Sequence, residues 1–356
     1  MTKPNINFQQ ARKGRGAGAN PRNRFEQIDY LPEEEDPVAD MPAPPTRYHP
    51  DNTKSIIAFN DSPDIPFRAG LNPYRGCEHG CIYCYARPSH EYFGLSAGLD
   101  FETEIFVKHD APALLRKTLQ SPKWQPQPIA LSGNTDPYQP AEQKLQITRG
   151  CLEVLADFRN PVGIITKNEL VTRDIDLLQE LARHRAVTVM ISITTLDNKL
   201  VRVMEPRTSQ PRRRLAAISR LAEAGIPVGV MTAPVIPGLN DHEIPQIIQE
   251  AVAAGAQCAG YVMLRLPYAV AELFERWLED HFPARKEKIL NRIRDIRGGK
   301  LNVGEFKERM RGKGVFADQV NTLFKSACRK AGIENSFPRL SCEAFRNPDE
   351  RQLSLF

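Results

Sequence analysis

From about residue 68 to 267 short apolar runs alternate with amphipathic stretches of helical length, and this rhythm constrains the fold more than any other feature. The predicted strands are Gly70–Tyr74, Pro128–Ser132, Val162–Lys167, Val187–Ile193, Pro227–Ala233 and Gly260–Leu264, with helices over 141–158, 171–184, 208–224 and 241–254 between them. Gly225 suits a left-handed cap on the helix ending at Ala224, and Asn240 or Asp241 a cap on the start of the next. Parallel neighbours need crossovers of about a dozen residues or more, which these helices supply. The chain is therefore read as α/β, with a partial (β/α)6 TIM-type barrel, a helical C-terminal extension and a disordered N-terminal arm. On periodicity alone a doubly wound sheet is the alternative.

The two ends differ from the middle. Residues 1–50 are rich in Pro, Gly, Asn and blocks of like charge, so they are read as a disordered charged arm. Its first part carries Lys3, Arg12, Lys13, Arg15, Arg22 and Arg24, and its second an acidic block from Glu26 to Asp40. The core domain is expected over 56–282, followed by a basic, mostly helical extension with an irregular tail over 283–356. Residues 283–346 hold 16 Lys/Arg against 7 Asp/Glu, although the whole chain is only +5. No apolar run reaches the roughly 18 residues of a membrane span, and the N-terminus lacks the apolar segment of a signal peptide. Seven unevenly spread cysteines do not form a disulfide framework, so a cytoplasmic location with metal or redox chemistry is expected.

Chemistry concentrates in Asn72-Pro-Tyr-Arg-Gly-Cys77-Glu-His-Gly-Cys81-Ile-Tyr-Cys84-Tyr85, a loop directly after the first predicted strand. Cys77, Cys81 and Cys84 have the spacing C-x3-C-x2-C, and Gly76 and Gly80 let the backbone curl so that the thiols converge. Thiolates are the soft ligands that zinc and iron–sulfur clusters select. A structural zinc would need a fourth ligand, with His79 or His90 available, and the chain would then be a non-catalytic, zinc-stabilised nucleic-acid-binding protein. A four-iron cluster usually takes four cysteines, so three would leave one iron open to a small molecule. Ligands of such folds bind at the carboxyl ends of the strands, where this loop lies.

The motif C-x3-C-x-aromatic-C, with Tyr83 as the aromatic, resembles the signature of the radical S-adenosylmethionine (radical SAM) superfamily. Cys84-Tyr85, Ser132-Gly-Asn-Thr-Asp-Pro-Tyr-Gln-Pro140, Ile165-Thr-Lys167 and Met204-Glu-Pro-Arg207 resemble its spore photoproduct lyase-like branch. The resemblance implies a [4Fe-4S] cluster whose open iron binds S-adenosyl-L-methionine, and an electron from a flavodoxin- or ferredoxin-like donor. Reductive cleavage would give a 5′-deoxyadenosyl radical that abstracts hydrogen from an unidentified substrate, with nucleic acid one candidate. It places Ser132, Gly133, Asn134 and Asp136 at the methionine amino group, Lys167 at its carboxylate, and Ser192 and Thr194 at the ribose. Tyr83 would contact the cofactor and Tyr85 would contact it or relay the radical. Arg207 could meet an anionic substrate, or be solvated with Arg212, Arg213 and Arg214. The branch's lyase donates hydrogen from a cysteine near the end of the second strand, and none stands in 132–136 here. Cys151, Cys258, Cys328 and Cys342 are expected to be structural.

Overall fold

The computed structural model of the protein describes residues 14–26, 44–333 and 337–348. Lys3, Arg12 and Lys13, the acidic residues 29–40 and the tail from 349 lie outside the described residues.

The described strands are β1 (Arg47–Pro50), β2 (Ile57–Phe59), β3 (Ala69–Leu71), β4 (Tyr74–Arg75), β5 (Glu104–Val107), β6 (Ile129–Leu131), β7 (Val162–Thr166), β8 (Val187–Ser192), β9 (Val228–Val235) and β10 (Cys258–Met263). Seven form one sheet in the order β10-β9-β8-β7-β6-β3-β2. Every pair from β3 to β10 is parallel, and β2 closes the edge antiparallel to β3. A doubly wound sheet reverses its strand order at a switch point. This order runs monotonically, as in an unrolled barrel, so the six expected β/α units are present and the doubly wound alternative is excluded. Complete burial along β6 and β8 explains why β6 is wholly and β8 mostly apolar, since both faces are covered.

The helices lie close to their predicted spans, at Ile147–Phe158, Ile175–Arg183, Pro211–Glu223 and Ile244–Ala253. Gly225 is left-handed with φ +73°, as expected of a cap. Asn240 caps differently: its carboxamide accepts from the Ile236 amide and donates to the carbonyls of Thr194 and Pro234, so it pins the end of β9. The alternation missed β1, β2, β4 and β5. Three of these, β1, β5 and β4, form a separate small sheet beside the cysteine loop.

Both ends are more integrated than their composition suggests. The reading of 1–50 as disordered fails for 14–26 and 44–50. Arg15 and Asn23 are buried, Ala17 is fully buried, and β1 pairs with β5. Specific hydrogen bonds to the 91–102 region, rather than apolar bulk, hold the N-terminal stretch. At the other end, Ala317, Val320, Phe324, Ala327 and Cys328 of the helix Val315–Ala331 belong to the main hydrophobic core. Phe324 packs on Tyr261 of β10 with ring centroids 4.7 Å apart.

Candidate active site at the carboxyl edge of the sheet

The cysteine loop leaves β4 through two left-handed glycines. A side chain at Gly76 (φ +78°) would lie 2.9 Å from both His90 and Ile105, and one at Gly80 (φ +66°) 2.7 Å from the Glu102 carboxylate. Backbone bonds then set the curl: Cys77 N–H donates to the Phe101 carbonyl (2.9 Å), Gly80 N–H to Cys77 (3.3 Å) and Cys84 N–H to Cys81 (3.2 Å). All three thiols are unpaired in disulfides, with Cys77 and Cys81 buried and Cys84 half-buried.

Burial pushes the Cys77 thiol well above its ordinary value, with the charges of Asp136, Cys81 and Cys84 pushing the same way. Burial also raises Cys81 and Cys84. Three thiols, two buried and one half-buried, close enough to oppose one another's ionisation are unfavourable as thiolates without a cation to neutralise them. Backbone amides act the other way, that of Asp136 lowering Cys77 and those of Ala86 and Arg87 lowering Cys84. This donor set fits a thiolate-ligated cluster. It fits zinc less well. His79 faces Asp136 through Nδ1 (3.4 Å) and Asn168 through Nε2 (3.3 Å). His90 gives Nε2 to the Glu104 carbonyl (2.8 Å) and packs edge-on against Phe101. Among the described residues, no three His, Cys, Asp or Glu side chains converge on one metal ion.

The other candidate residues do gather at this edge, though not all in the expected roles. Tyr83 is buried and its hydroxyl donates to Glu205 Oε1, with Thr194 Oγ1 at 3.4 Å. Lys167, just past β7, donates through Nζ to Thr194 Oγ1 (3.0 Å) and the Ala233 carbonyl (2.9 Å), and sits 3.4 Å from Glu205 Oε1. Ser192 lends its carbonyl to Arg214 (2.8 Å). Tyr85 reaches the other way, donating to the Gly133 carbonyl, and its ring faces the Arg265 guanidinium at 4.7 Å. Gly133 and Asn134 are exposed, and the Asn134 amide is held by Asn72 (3.1 Å).

Asp136 corrects an expectation. Its oxygens accept from Tyr138 N–H (2.9 Å), Thr166 Oγ1 (2.6 Å) and Lys167 N–H (2.8 Å), and also face His79. Burial would raise its pKa, but His79 and these donors hold it below the ordinary range. With its acceptor sites engaged, it is a brace between the ends of β6 and β7, rather than a free acceptor for an amino group. Arg214 is a second correction. Far from being solvated, it is fully buried and pairs with Glu205 Oε2, while also donating to Ser209, Ser192 and Thr208. Arg207 is half-buried and bonded to Glu78 Oε1 at 3.1 Å.

Glu205 is the residue that sequence reasoning passed over. Its carboxylate takes Tyr83, Thr194, Lys167 and Arg214 together, joining the cysteine loop to the ends of β7 and β8. Burial alone would raise its pKa, yet Arg214 and Lys167 hold it well below the usual carboxylate range. Met204-Glu-Pro-Arg207 carries part of the family resemblance, but nothing in its spacing marks the glutamate as buried.

Of the remaining cysteines, Cys151 lies in the core among Leu152 and Leu155, Cys258 touches Met190, Cys328 is in the main core and Cys342 is partly exposed. No described helix is long and apolar enough to cross a membrane.

The family model of the radical SAM superfamily matches residues 71–251. An uncharacterised protein of Mycobacterium tuberculosis is 38% identical over 244 residues, covering 67% of this chain and 71% of the relative. One from Methanocaldococcus jannaschii is 29% identical over 222 residues, covering 62% and 79%. Among solved structures, spore photoproduct lyase complexed with dinucleoside spore photoproduct is similar with a TM-score of 0.58 at 16% identity, covering 81% of each chain. A mutant of that lyase with bound AdoMet and dinucleoside spore photoproduct gives 0.57 at 16%, covering 82% of this chain and 81% of that one. At this identity the likeness is one of fold.

Proposed function

The chain belongs to the radical SAM superfamily of enzymes, and on that premise we propose that Cys77, Cys81 and Cys84 hold a [4Fe-4S] cluster that cleaves S-adenosyl-L-methionine reductively. The observation that carries this reading is the trio of thiols on one loop, Cys77 and Cys81 buried and Cys84 half-buried, with burial raising all three and backbone amides favouring the ionised form of two. When bound and reduced, the cluster supplies an electron that converts S-adenosylmethionine to methionine and a 5′-deoxyadenosyl radical able to take hydrogen from a substrate.

The chain's own residues have distinct parts. Tyr83 and Thr194 are fixed by Glu205, which limits their motion beside the cofactor. Lys167 supplies the cation for the methionine carboxylate, and shares Glu205 until that carboxylate arrives. The Gly133 backbone, open to solvent with no group within 4 Å of where a side chain would stand, suits the approach of the methionine amino group. Ser132 and Ser192, both buried at the strand ends, complete the cofactor wall. Tyr85 lies between the cluster loop and the solvent-facing rim, suited to contact cofactor and substrate together.

For the substrate we favour nucleic acid. Exposed aromatic rings stand beside guanidinium groups: Tyr85 by Arg265, Phe306 under Arg309 (4.6 Å) and Tyr268 under Arg24 (3.9 Å). Such pairs can stack on bases while the cations meet phosphates. A flavodoxin- or ferredoxin-like protein is the proposed donor of the electron. The test is anaerobic reconstitution, reduction with dithionite, and assay of 5′-deoxyadenosine with and without RNA and DNA oligonucleotides. Formation of 5′-deoxyadenosine that oligonucleotides accelerate supports both parts. Formation that they leave unchanged removes the nucleic-acid part alone.

A further inference from the structure

The cysteine loop has a back as well as a front, and the N-terminal segment lies against it. Arg87 is fully buried there and donates to the carbonyls of Cys81 (3.0 Å), Gly80 (3.2 Å), Ala97 (3.2 Å) and Gly98 (2.8 Å), and to Glu102 Oε1 (2.6 Å). The Glu102 carboxylate then accepts from the amides of Gly16 (3.0 Å) and Ala17 (2.8 Å). Arg15 adds a bond to the Glu102 carbonyl (3.0 Å). Contact is backbone to backbone: a side chain at Gly16 would stand 1.7 Å from the Gly80 carbonyl oxygen, next to Cys81. Ala17 is fully buried, in the same apolar cluster as Cys81, Ile82 and Tyr83. Further along, Asn20 exchanges hydrogen bonds with Asp100 (2.7 and 3.0 Å), and Ser96 donates to the Pro21 carbonyl (2.7 Å).

We propose that Arg15-Gly16-Ala17 is a strap belonging to the iron–sulfur site, which sets the position of the Gly80–Cys81 backbone and closes its rear to solvent. The strap touches no cofactor, so its residues act by positioning. Partners behind metal ligands commonly govern how firmly the metal is kept, and apolar cover governs access to it. Iron retention should therefore depend on this part of the N-terminal segment. This inference rests on the cluster assignment above.

The test uses the full chain, reconstituted anaerobically, and follows iron loss to excess chelator by absorbance. Gly16→Val forces the strap off Gly80. The pair Asn20→Ala with Ser96→Ala loosens its outer anchorage without touching the loop, and serves if the first variant fails to fold. Iron should leave roughly 10–100-fold faster from Gly16→Val and less markedly faster from the outer pair. The thermal midpoint of the iron-free outer-pair variant should stay close to wild type, whereas Gly16→Val, which strips two amides from buried Glu102, should also melt lower. Loss rates within twofold of wild type in both would overturn the strap. So would faster loss from the outer pair accompanied by a fall in its iron-free stability, since that is general loosening. If wild-type protein takes up no iron, the cluster assignment itself is what fails.

Discussion

Two fully buried Arg–Glu pairs flank the cysteine loop, Arg87–Glu102 behind it and Arg214–Glu205 in front, and they are satisfied in different ways. Behind, Arg87 finds four backbone carbonyls and Glu102 two backbone amides. In front, Glu205 is met by the side chains of Tyr83, Thr194 and Lys167. Backbone partners cannot turn away, so the rear pair fixes the loop. Side-chain partners can exchange a protein contact for a ligand, so the front pair leaves the site able to respond. Buried ion pairs are poor sources of net stability, but breaking one strands a charge. Both pairs are therefore sensitive points, with different consequences.

The largest effect is expected behind the loop. Glu102→Ala leaves Arg87 and two amides unpaired, and should cost about 3–5 kcal/mol of folding stability. Denaturant melts of the iron-free chain measure this. A cost as small as that of an exposed substitution would mean that water reaches the pair.

In front, Glu205→Gln keeps the shape and removes the charge. A loss of about 2–3 kcal/mol is expected at neutral pH. The pH profile sharpens the contrast. The Glu205 pKa is depressed by folding, so its contribution is full above the ordinary carboxylate range and fades as pH falls through and below it. The wild-type advantage over the Gln variant should shrink in acid. A gap independent of pH would assign the effect to packing.

The smallest change in stability, and the most specific to ligand, is expected for Lys167→Ala. Removing a charge-assisted contact should weaken S-adenosylmethionine binding by roughly 1.5–3 kcal/mol, about 10–150-fold, with little change in the melt. Calorimetric titration of the reconstituted protein decides it. An unchanged dissociation constant would leave Lys167 as a partner of Glu205 only.

This front–back difference also marks what could be read from the sequence. The parallel sheet was legible because periodicity is a local pattern, and the three proposed ligands stood out because C-x3-C-x2-C is another. Lys167 and Thr194 were singled out by the family resemblance, on segments at strand ends. Glu205 and Arg214 did not, because burial of a charge depends on partners brought from β7, β8 and the cysteine loop. Arg214 stands in a run of arginines, and its neighbours Arg212 and Arg213 are indeed exposed. The rear was invisible for a related reason. Arg15 to Ala17 has the composition of a disordered arm, and only Glu102, 85 and 86 residues away from the amides it accepts, gives it a place.

Iron counting with EPR on anaerobically reconstituted wild type and on Cys77→Ala, Cys81→Ala and Cys84→Ala tests the central claim most directly. Wild type should hold about four irons per chain, and each variant should lose most of them, while Cys151→Ala and Cys258→Ala keep theirs. Full iron in any of the three loop variants, or one zinc in place of iron in wild type, would contradict a cluster built on this loop.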